Sequence, residues 1–195
     1  SRVVFETCER LFDEAAKLDP KYASALAWRA YWHVLRIAQG WSPDPSYDTK
    51  RADRFAQQAV DAHDLDPMSL AIHGHVAAYL HKDFDTAFRR FEMALRLNPN
   101  AAPAWLWSAA AHAWIGEGRR AIDEVNQAIA LSPFDPFMCA YSAVAGMAYL
   151  ADARYDRALE CGLRSVGENR RYAAAYKLII LALTLSGRKE AALPY

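Results

Sequence analysis

The sequence carries no excess of charge of either sign. Its 23 Lys and Arg residues balance its 23 Asp and Glu residues, so the formal net charge is zero. Proteins that bind nucleic acid or an anionic membrane surface usually carry a basic excess, because phosphate groups supply much of the attraction. We therefore expect no nucleic acid and no membrane among the partners of this chain.

Long apolar runs and cysteine are also scarce. Apolar runs are interrupted within about a dozen residues, short of the roughly 20 that span a bilayer, and no signal peptide is visible. The three cysteines, Cys8, Cys139 and Cys161, are scattered and odd in number. That pattern argues against a disulfide framework and favours a reducing compartment, so we expect a cytoplasmic location. The chain begins without Met and ends inside a helical pattern, so we expect a piece of a longer protein.

Residues that favour β-strands are few. Val, Ile and Thr together number 19, against 39 alanines. Alanine is the best helix former, whereas β-branched residues favour strands. Apolar residues make up 53% of the chain, which excludes disorder by composition. The composition therefore predicts an all-α fold.

A repeated helix-ending pattern organises the chain. Four segments end in leucine, a polar residue and proline, and these prolines are Pro20, Pro67, Pro99 and Pro133. Proline cannot continue the helical hydrogen-bond ladder, so each segment predicts a helix end. The prolines are 47, 32 and 34 residues apart. A period of about 34 residues indicates a repeat with two helices per unit.

Residues 102–133 resemble the tetratricopeptide (TPR) repeat. Six of them fall at the family's positions 4, 8, 15, 20, 27 and 32, namely Trp105, Ala109, Gly116, Ala121, Ala128 and Pro133. Small residues stand where the two helices of a hairpin approach closely, and Gly116 stands where the hairpin turns. The resemblance implies an all-α, TPR-type α-solenoid of stacked antiparallel helix hairpins in a right-handed superhelix. We predict a turn at 116–118 and a buried Ala121.

The TPR resemblance divides the chain into a single array. Its segments are a second helix without its first (1–20), a repeat with a loop insertion at 39–48 (21–67), three further repeats (68–99, 100–133 and 134–170) and a truncated half repeat (171–195). The repeat at 68–99 is two residues short, which leaves the register of its first helix open. Trp41 is apolar within a polar, proline-rich loop, and we expect it to anchor that loop on neighbouring helices. We expect Asp83 or Asp85, and also Asp135, to cap helices.

Motifs for catalysis and metal binding are absent. The chain has no Ser-His-Asp order, no Cys-His pairing, no Cys-x-x-Cys pair and no phosphate-binding glycine loop after a strand. His73 and His75 lie about 200° apart around a helix, not at the i, i+4 spacing of a helical metal site. His33, His63 and His112 are isolated in the sequence. The sequence therefore predicts no metal, no cofactor and no enzymatic activity for this chain.

The TPR resemblance also implies a protein-binding groove lined by the first helices. The predicted groove residues are Trp28, Tyr31, Leu106, Trp107, Trp114, Phe137, Tyr141, Met147 and Lys177. They are mostly apolar, and the Lys, Arg and Asn residues with which some TPR proteins clamp a peptide carboxylate are missing. A large apolar patch marks an interface, but aromatic side chains at helical spacing also pack as core. Both interpretations stay open at this point.

We interpret the chain as a non-catalytic protein–protein interaction scaffold. Its partner would be a protein or peptide segment, from the parent chain, a second copy or another protein. The Trp-Ser-Pro-Asp-Pro insertion at 41–45 is similar to the regulatory TPR regions C-terminal to bacterial class III adenylate or guanylate cyclases and to winged-helix transcription regulators. One alternative is a homo-oligomerisation module that pairs the parent's catalytic domains. Another is an α-helical enzyme domain, which needs acids or histidines with perturbed pKa values at the groove positions.

Overall fold

Ten α-helices joined by short turns account for most of residues 2–195. The computed structural model describes the backbone of these residues and the side chains of residues 4–195, so Ser1 of the predicted segment 1–20 lies outside the described residues. The helices are α1 (Arg2–Leu18), α2 (Ala23–Ala38), α3 (Pro45–Ala62), α4 (Pro67–Val76), α5 (Phe84–Leu97), α6 (Ala102–Trp114), α7 (Gly118–Leu131), α8 (Met138–Ala151), α9 (Tyr155–Glu168) and α10 (Ala173–Leu185). The described residues contain no β-strand. None of these helices is long and apolar enough to cross a bilayer.

Aspartate side chains start three helices of the first half of the chain. The carboxylates of Asp44, Asp66 and Asp83 each accept a hydrogen bond from the backbone N–H three residues later, at 3.0, 2.8 and 3.0 Å. Pro45 and Pro67 follow two of them at the first helical position, where the missing N–H costs nothing. Of the two caps predicted for α5, Asp83 is therefore the one that forms.

The predicted loop at 39–48 is only partly irregular. Because Asp44 and Pro45 start α3, the last four residues of the predicted loop are helical. Helix α3 is 18 residues long, whereas α5, α7 and α9 have 14 each. The extra length of this segment is therefore shared between a six-residue loop, 39–44, and one additional helical turn. The sequence reasoning was wrong here because it treated both prolines as loop residues.

A π-helical turn, Ala77–His81, extends α4. It ends at Lys82, which adopts a left-handed conformation (φ 58°), and the Asp83 N–H donates to the Ala77 carbonyl at 3.1 Å. Only residues 82 and 83 then separate this turn from α5. The segment 68–99 is short because α4 begins at Pro67 itself, whereas α6 begins three residues after Pro99.

The helices form two compact units, residues 1–104 and residues 105–195. In the first unit, α2 packs against α1, α3 and α4, and α4 also packs against α3 and α5. In the second unit, α8 packs against α7, α9 and α10, and α9 also packs against α10. Many fully buried positions are alanines, for example Ala30, Ala59, Ala128 and Ala158. Their small side chains allow neighbouring helices to approach closely, and a few large side chains such as Phe91 and Tyr141 are buried among them.

The α6–α7 hairpin has the predicted register. Residues 115–117 form its turn, where Gly116 adopts a positive φ of 85° that favours glycine. Ala121 is fully buried, as predicted. A side chain at Gly118 would collide with the backbone nitrogen of Asp152, so glycine is required where α7 approaches the turn between α8 and α9.

Candidate protein-binding surfaces

The predicted groove residues are divided between the two units. Trp28 and Tyr31 lie on α2 in the first unit. The others lie in the second unit and are Leu106, Trp107, Trp114, Phe137, Tyr141, Met147 and Lys177. The prediction therefore concerns two sets of side chains, one in each unit.

A row of four rings runs across α2, α4 and the π turn in the first unit. Trp28 meets Tyr31 edge-on with ring centroids 5.8 Å apart. The Tyr31 ring lies 5.7 Å from His75, which in turn stacks on Tyr79 at 5.7 Å. The Trp28, Tyr31 and Tyr79 side chains are partly exposed, whereas His75 is buried. We call these four residues the aromatic ladder.

His75 acts as an uncharged ring within the aromatic ladder. Burial lowers the pKa of His75 to about 3, so the imidazole is neutral at physiological pH. Burial also raises the pKa of the Tyr79 hydroxyl, which therefore stays protonated. The ladder thus presents apolar ring surface with neutral polar edges. A histidine kept neutral in this way is poorly suited to proton transfer near pH 7.

Sequence reasoning missed His75 and Tyr79 because the register of this helix was open. They are four residues apart, the spacing that places two side chains on one face of a helix, and this was the available signal. His73 instead meets Gln57 on α3, with its Nε2 3.3 Å from Oε1. His73 and His75 therefore point to different neighbours, as expected. Within residues 4–195, no group of three His, Cys, Asp or Glu side chains could hold a metal ion.

Most of the predicted groove in the second unit is core. Leu106, Trp107 and Tyr141 are only 6%, 5% and 2% exposed. Leu106 and Tyr141 belong to a buried cluster with residues of α7 and α9, and Trp114 and Met147 pack against it. For these residues, the structure favours the core interpretation over an open binding surface.

Phe137 and Lys177 are the exposed members of the predicted set. Phe137 is 61% exposed and directly precedes α8, and Lys177 is exposed on α10. Asp135 does not cap α8, which begins at Met138. Its carboxylate instead accepts the Phe137 N–H at 2.8 Å and the Tyr141 hydroxyl at 3.1 Å. These two hydrogen bonds fix the turn from which the Phe137 side chain is exposed.

Trp41 anchors the 39–44 loop, as predicted. Its ring meets the ring of Phe5 on α1 edge-on, with centroids 5.1 Å apart. Its backbone N–H donates to the Arg36 carbonyl on α2 at 2.8 Å. The loop is therefore fixed to two helices by one residue.

A buried hydrogen-bond network also holds this loop and centres on Asp48 in the first turn of α3. The Nδ1 atom of His33 on α2 lies 2.6 Å from Asp48 Oδ1, and both side chains are 1% exposed. Arg36 donates to the same oxygen at 3.1 Å, and the Ser42 hydroxyl donates to the other oxygen. Burial lowers the pKa of His33, although the hydrogen bond to Asp48 opposes the shift. The network ties the loop to α2 and α3.

A second buried histidine pairs with an acid in the second unit. His112 Nδ1 lies 2.9 Å from Glu124 Oε2 and 3.0 Å from the Ser108 carbonyl oxygen. Because a carbonyl oxygen can only accept, Nδ1 carries the proton. Burial opposes ionisation of Glu124, but hydrogen bonds from His112, Ser108 and Arg120 outweigh it and lower the pKa of this carboxyl group. The sequence showed His33 and His112 as isolated, yet each bonds a carboxylate of the following helix.

No family model and no curated protein matches the chain. Solved structures do match it. One is TTC0263, a thermophilic TPR protein of Thermus thermophilus, with a TM-score of 0.65 and 20% identity over 98% of this chain and 91% of that one. Another is MamA from Desulfovibrio magneticus RS-1, with a TM-score of 0.58 and 19% identity over 85% of this chain and 90% of that one. The chain has the tetratricopeptide-repeat fold.

The match to solved TPR structures confirms the predicted all-α solenoid of stacked helix hairpins. A third similar structure is YrrB, described as a TPR protein with an unusual peptide-binding site, with a TM-score of 0.52 and 19% identity over 91% of this chain and 84% of that one. In this fold a hairpin cannot bury its apolar face alone, so neighbouring hairpins supply the core.

Proposed function

We propose that the chain is a non-catalytic protein–protein interaction scaffold, and that the aromatic ladder of the first unit binds a protein or peptide segment. The observation that carries the proposal is the row of partly exposed rings at Trp28, Tyr31 and Tyr79, joined through the neutral His75. Exposed aromatic clusters on folded proteins mark interaction sites, because large rigid rings bury much apolar area at little entropic cost. The peptide-binding site attributed to YrrB supports the same class of partner.

The ladder favours an apolar or aromatic segment as its partner. Its two tyrosine hydroxyls offer hydrogen bonds, but its rings carry no formal charge. Binding should therefore depend little on ionic strength, unlike binding by charge pairs, which salt screens. Phe137 and Lys177 of the second unit remain proposed contacts.

Selection of a random peptide library on the intact chain tests this proposal. Selected peptides should lose more than about 1 kcal/mol of binding free energy in Trp28→Ala or Tyr79→Ala, because ring contacts dominate such interfaces. Phe134→Ala is the matched control, since Phe134 lies in the other unit and is 95% exposed. Titration calorimetry measures the affinities, and circular dichroism checks helicity.

Two results would contradict the proposal. One is peptides that bind Trp28→Ala, Tyr79→Ala and the unaltered chain equally well. The other is binding that collapses when sodium chloride is raised from low to high concentration, which would indicate a charged site instead. Retained helicity in each variant makes either result decisive.

We further propose that the chain is the regulatory TPR region of a larger bacterial signalling protein, such as a nucleotide cyclase or a transcription regulator. The Trp-Ser-Pro-Asp-Pro segment at 41–45 supports this context. Free thiols at Cys8, Cys139 and Cys161 support a cytoplasmic location. Sequencing the complete reading frame tests the proposal, and a frame without a cyclase or winged-helix domain would contradict it.

Homo-oligomerisation is the second candidate function. It is favoured by Ile180, Leu181 and Leu185 on α10, which are 37%, 51% and 54% exposed. Leu181 and Leu185 are one turn apart and share a face. Light scattering after size exclusion should then show a dimer that Leu181→Asp converts to a monomer. A monomer in the unaltered chain would exclude this function.

A further inference from the structure

One face of α3 carries positive charges that are not matched by acids. Arg54 lies four residues after Lys50 and three after Arg51, so the three side chains share one face of the helix. Lys50 and Arg54 are exposed, and Arg51 is partly exposed. Within residues 4–195, none of the three forms an ion pair. We call Lys50, Arg51 and Arg54 the basic stripe.

The acids of α3 and its cap are bonded elsewhere. Asp44 caps the helix, and Asp48 is buried among its own hydrogen-bonding partners. Asp53 Oδ1 lies 2.7 Å from His81 Nε2. Asp61 accepts a hydrogen bond at 2.7 Å from a side-chain amide of the same helix. The helix therefore supplies no carboxylate to the basic stripe.

Arg51 is positioned by aromatic rings rather than by an acid. Its guanidinium carbon lies 4.5 Å from the Phe55 ring centroid and 6.0 Å from that of Tyr47. Its Nε is buried without a hydrogen-bond acceptor. Burial lowers the pKa of Arg29 on α2, and the charge of Arg51 adds to this shift, whereas Asp13 opposes it. A further carboxylate at this face would therefore relieve the repulsion between the two arginines.

The same face of the other second helices carries acids. The helices can be aligned on the residue whose carbonyl accepts the helix-ending N–H, which is Ala59, Ala94, Ala128 or Ser165. The positions equivalent to the basic stripe are then Asp85, Thr86 and Arg89 in α5, Arg119, Arg120 and Asp123 in α7, and Asp156, Arg157 and Glu160 in α9. Each of these sets includes an acid, whereas the basic stripe has none. The unmatched charge is therefore specific to α3.

We propose that the basic stripe binds an acidic segment of a partner protein, whose Asp or Glu side chains face Lys50, Arg51 and Arg54. Arginine pairs with a carboxylate through two parallel hydrogen bonds, and Tyr47, 53% exposed at the start of this face, adds a hydroxyl donor. The stripe spans about 6 Å of helix, which matches carboxylates one turn apart on a partner helix. Nucleic acids and anionic membranes fit less well, because their binding draws on many phosphate contacts and a basic excess, and this chain has no net charge.

A titration with a designed peptide tests this proposal. The probe is an alanine-based helical peptide with three glutamates on one face, and its counterpart has glutamines at the same positions. Shifts of the α3 backbone amide resonances of the intact chain measure binding. We expect saturable shifts with the glutamate peptide at about 0.01 M salt and little response to the glutamine peptide. Affinity should fall tenfold or more at about 1 M salt, where the screening length decreases from about 30 Å to about 3 Å.

Variants locate the binding on α3. Lys50→Gln and Arg54→Gln each remove one exposed charge and should each weaken binding about threefold or more. Arg54→Lys keeps the charge and should retain most of the affinity. Lys17→Gln is the matched control, because Lys17 is an exposed lysine on α1. The basic stripe shares no residue with the aromatic ladder, so Trp28→Ala should leave the affinity unchanged, and failure of either proposal leaves the other intact.

The proposal is overturned if the glutamate peptide gives no saturable shift, or if the glutamine peptide binds equally well. It is also overturned if Lys50→Gln and Arg54→Gln bind as tightly as Lys17→Gln. A single-stranded oligonucleotide and phosphatidylserine vesicles are compared with the glutamate peptide under the same conditions. Tighter binding of either one that is lost in the same two variants would overturn the proposal and identify a phosphate-binding surface instead.

Discussion

Two hairpins bury a histidine at the same place in the repeat and pair it with different acids. His33 and His112 each lie three residues after an alanine, Ala30 and Ala109, that matches TPR position 8. Both side chains are almost fully buried, and each bonds a carboxylate of the following helix. The two histidines are therefore equivalent in position and in type of partner.

The two acids come from different parts of their helices. Glu124 lies four residues before Ala128, whose carbonyl accepts the N–H that ends α7, whereas Asp48 lies 11 residues before Ala59, which has the same place in α3. Phe55 stands where Glu124 would have its counterpart. The insertion before α3, with its additional helical turn, thus supplies an acid that the repeat position lacks. A buried histidine can therefore keep its type of partner while the element that supplies the partner changes.

Removal of Asp48 should have the largest effect on stability. Asp48→Ala leaves its three hydrogen-bonding partners without their common acceptor in a site only 1% exposed, so we expect a loss of about 3–5 kcal/mol in unfolding free energy. Glu124→Ala should lose less, because its partner Arg120 is 63% exposed and regains water. Urea unfolding followed by circular dichroism measures both. An equal loss of unfolding free energy in the two variants would contradict the expected difference between Asp48 and Glu124.

Enlarging Ala121 should have the next largest effect. Ala121 is fully buried in the hairpin that places His112 beside Glu124, so Ala121→Leu should cost about 1–3 kcal/mol by overpacking. Ala52 occupies the corresponding place in α3 of the first unit and is also fully buried. Ala130→Leu, at an exposed position on α7, is the control. An unchanged melting temperature in Ala121→Leu would disprove the register.

Acidification should affect the two pairs in different pH ranges. The pKa of His33 lies below its ordinary 6.5, so the unfolded chain binds this proton more tightly than the folded chain. Its contribution to stability is therefore complete above about pH 6.5 and is lost as the pH falls towards the folded pKa. The lowered pKa of Glu124 acts in the same direction, but only below its ordinary 4.5.

Melting temperature between about pH 7 and pH 5 measures the His33 effect. It should fall over this range in the unaltered chain and fall less in His33→Gln. The pKa values of His73 and His75 are also lowered by burial and add to the slope, so the difference between the two chains is the relevant quantity. Identical slopes would show that His33 does not titrate differently on folding.

The smallest effect is expected at Arg120. Its side chain is 63% exposed, and its ion pair with Glu124 spans one turn of α7, so Arg120→Ala should cost no more than about 1 kcal/mol. The corresponding change in the first unit, Arg36→Ala, should cost more, because Arg36 is 20% exposed and bonds the buried Asp48. Urea midpoints of the two variants test the order. A larger loss for Arg120→Ala would reverse the comparison.

Interactions between residues close in the sequence were sufficient to predict most helices and the register of the α6–α7 hairpin. Helices α1, α5 and α7 end two residues before Pro20, Pro99 and Pro133 as predicted, whereas α3 ends earlier, at Ala62, and Pro67 begins α4. Asp83 forms a cap because its carboxylate reaches an N–H only three residues away. Ala121 could be predicted as buried because the spacing of small residues around a helix identifies the face that meets its partner. The same spacing placed Trp107 and Tyr141 on the first-helix face of their repeats. That spacing could not show whether neighbouring helices cover this face. The structure shows that they do, since both side chains are buried.

The sequence by itself thus determined the all-α class, the hairpin repeat and the turn at Gly116, because these depend on residues within a few turns of one another. Only the tertiary structure decided which acid meets His33, that Trp41 lies against Phe5, and that the π turn brings Tyr79 into the aromatic ladder. These contacts join residues on different helices. Their geometry depends on helix length, crossing and local irregularity, which the periodicity of a single helix does not encode.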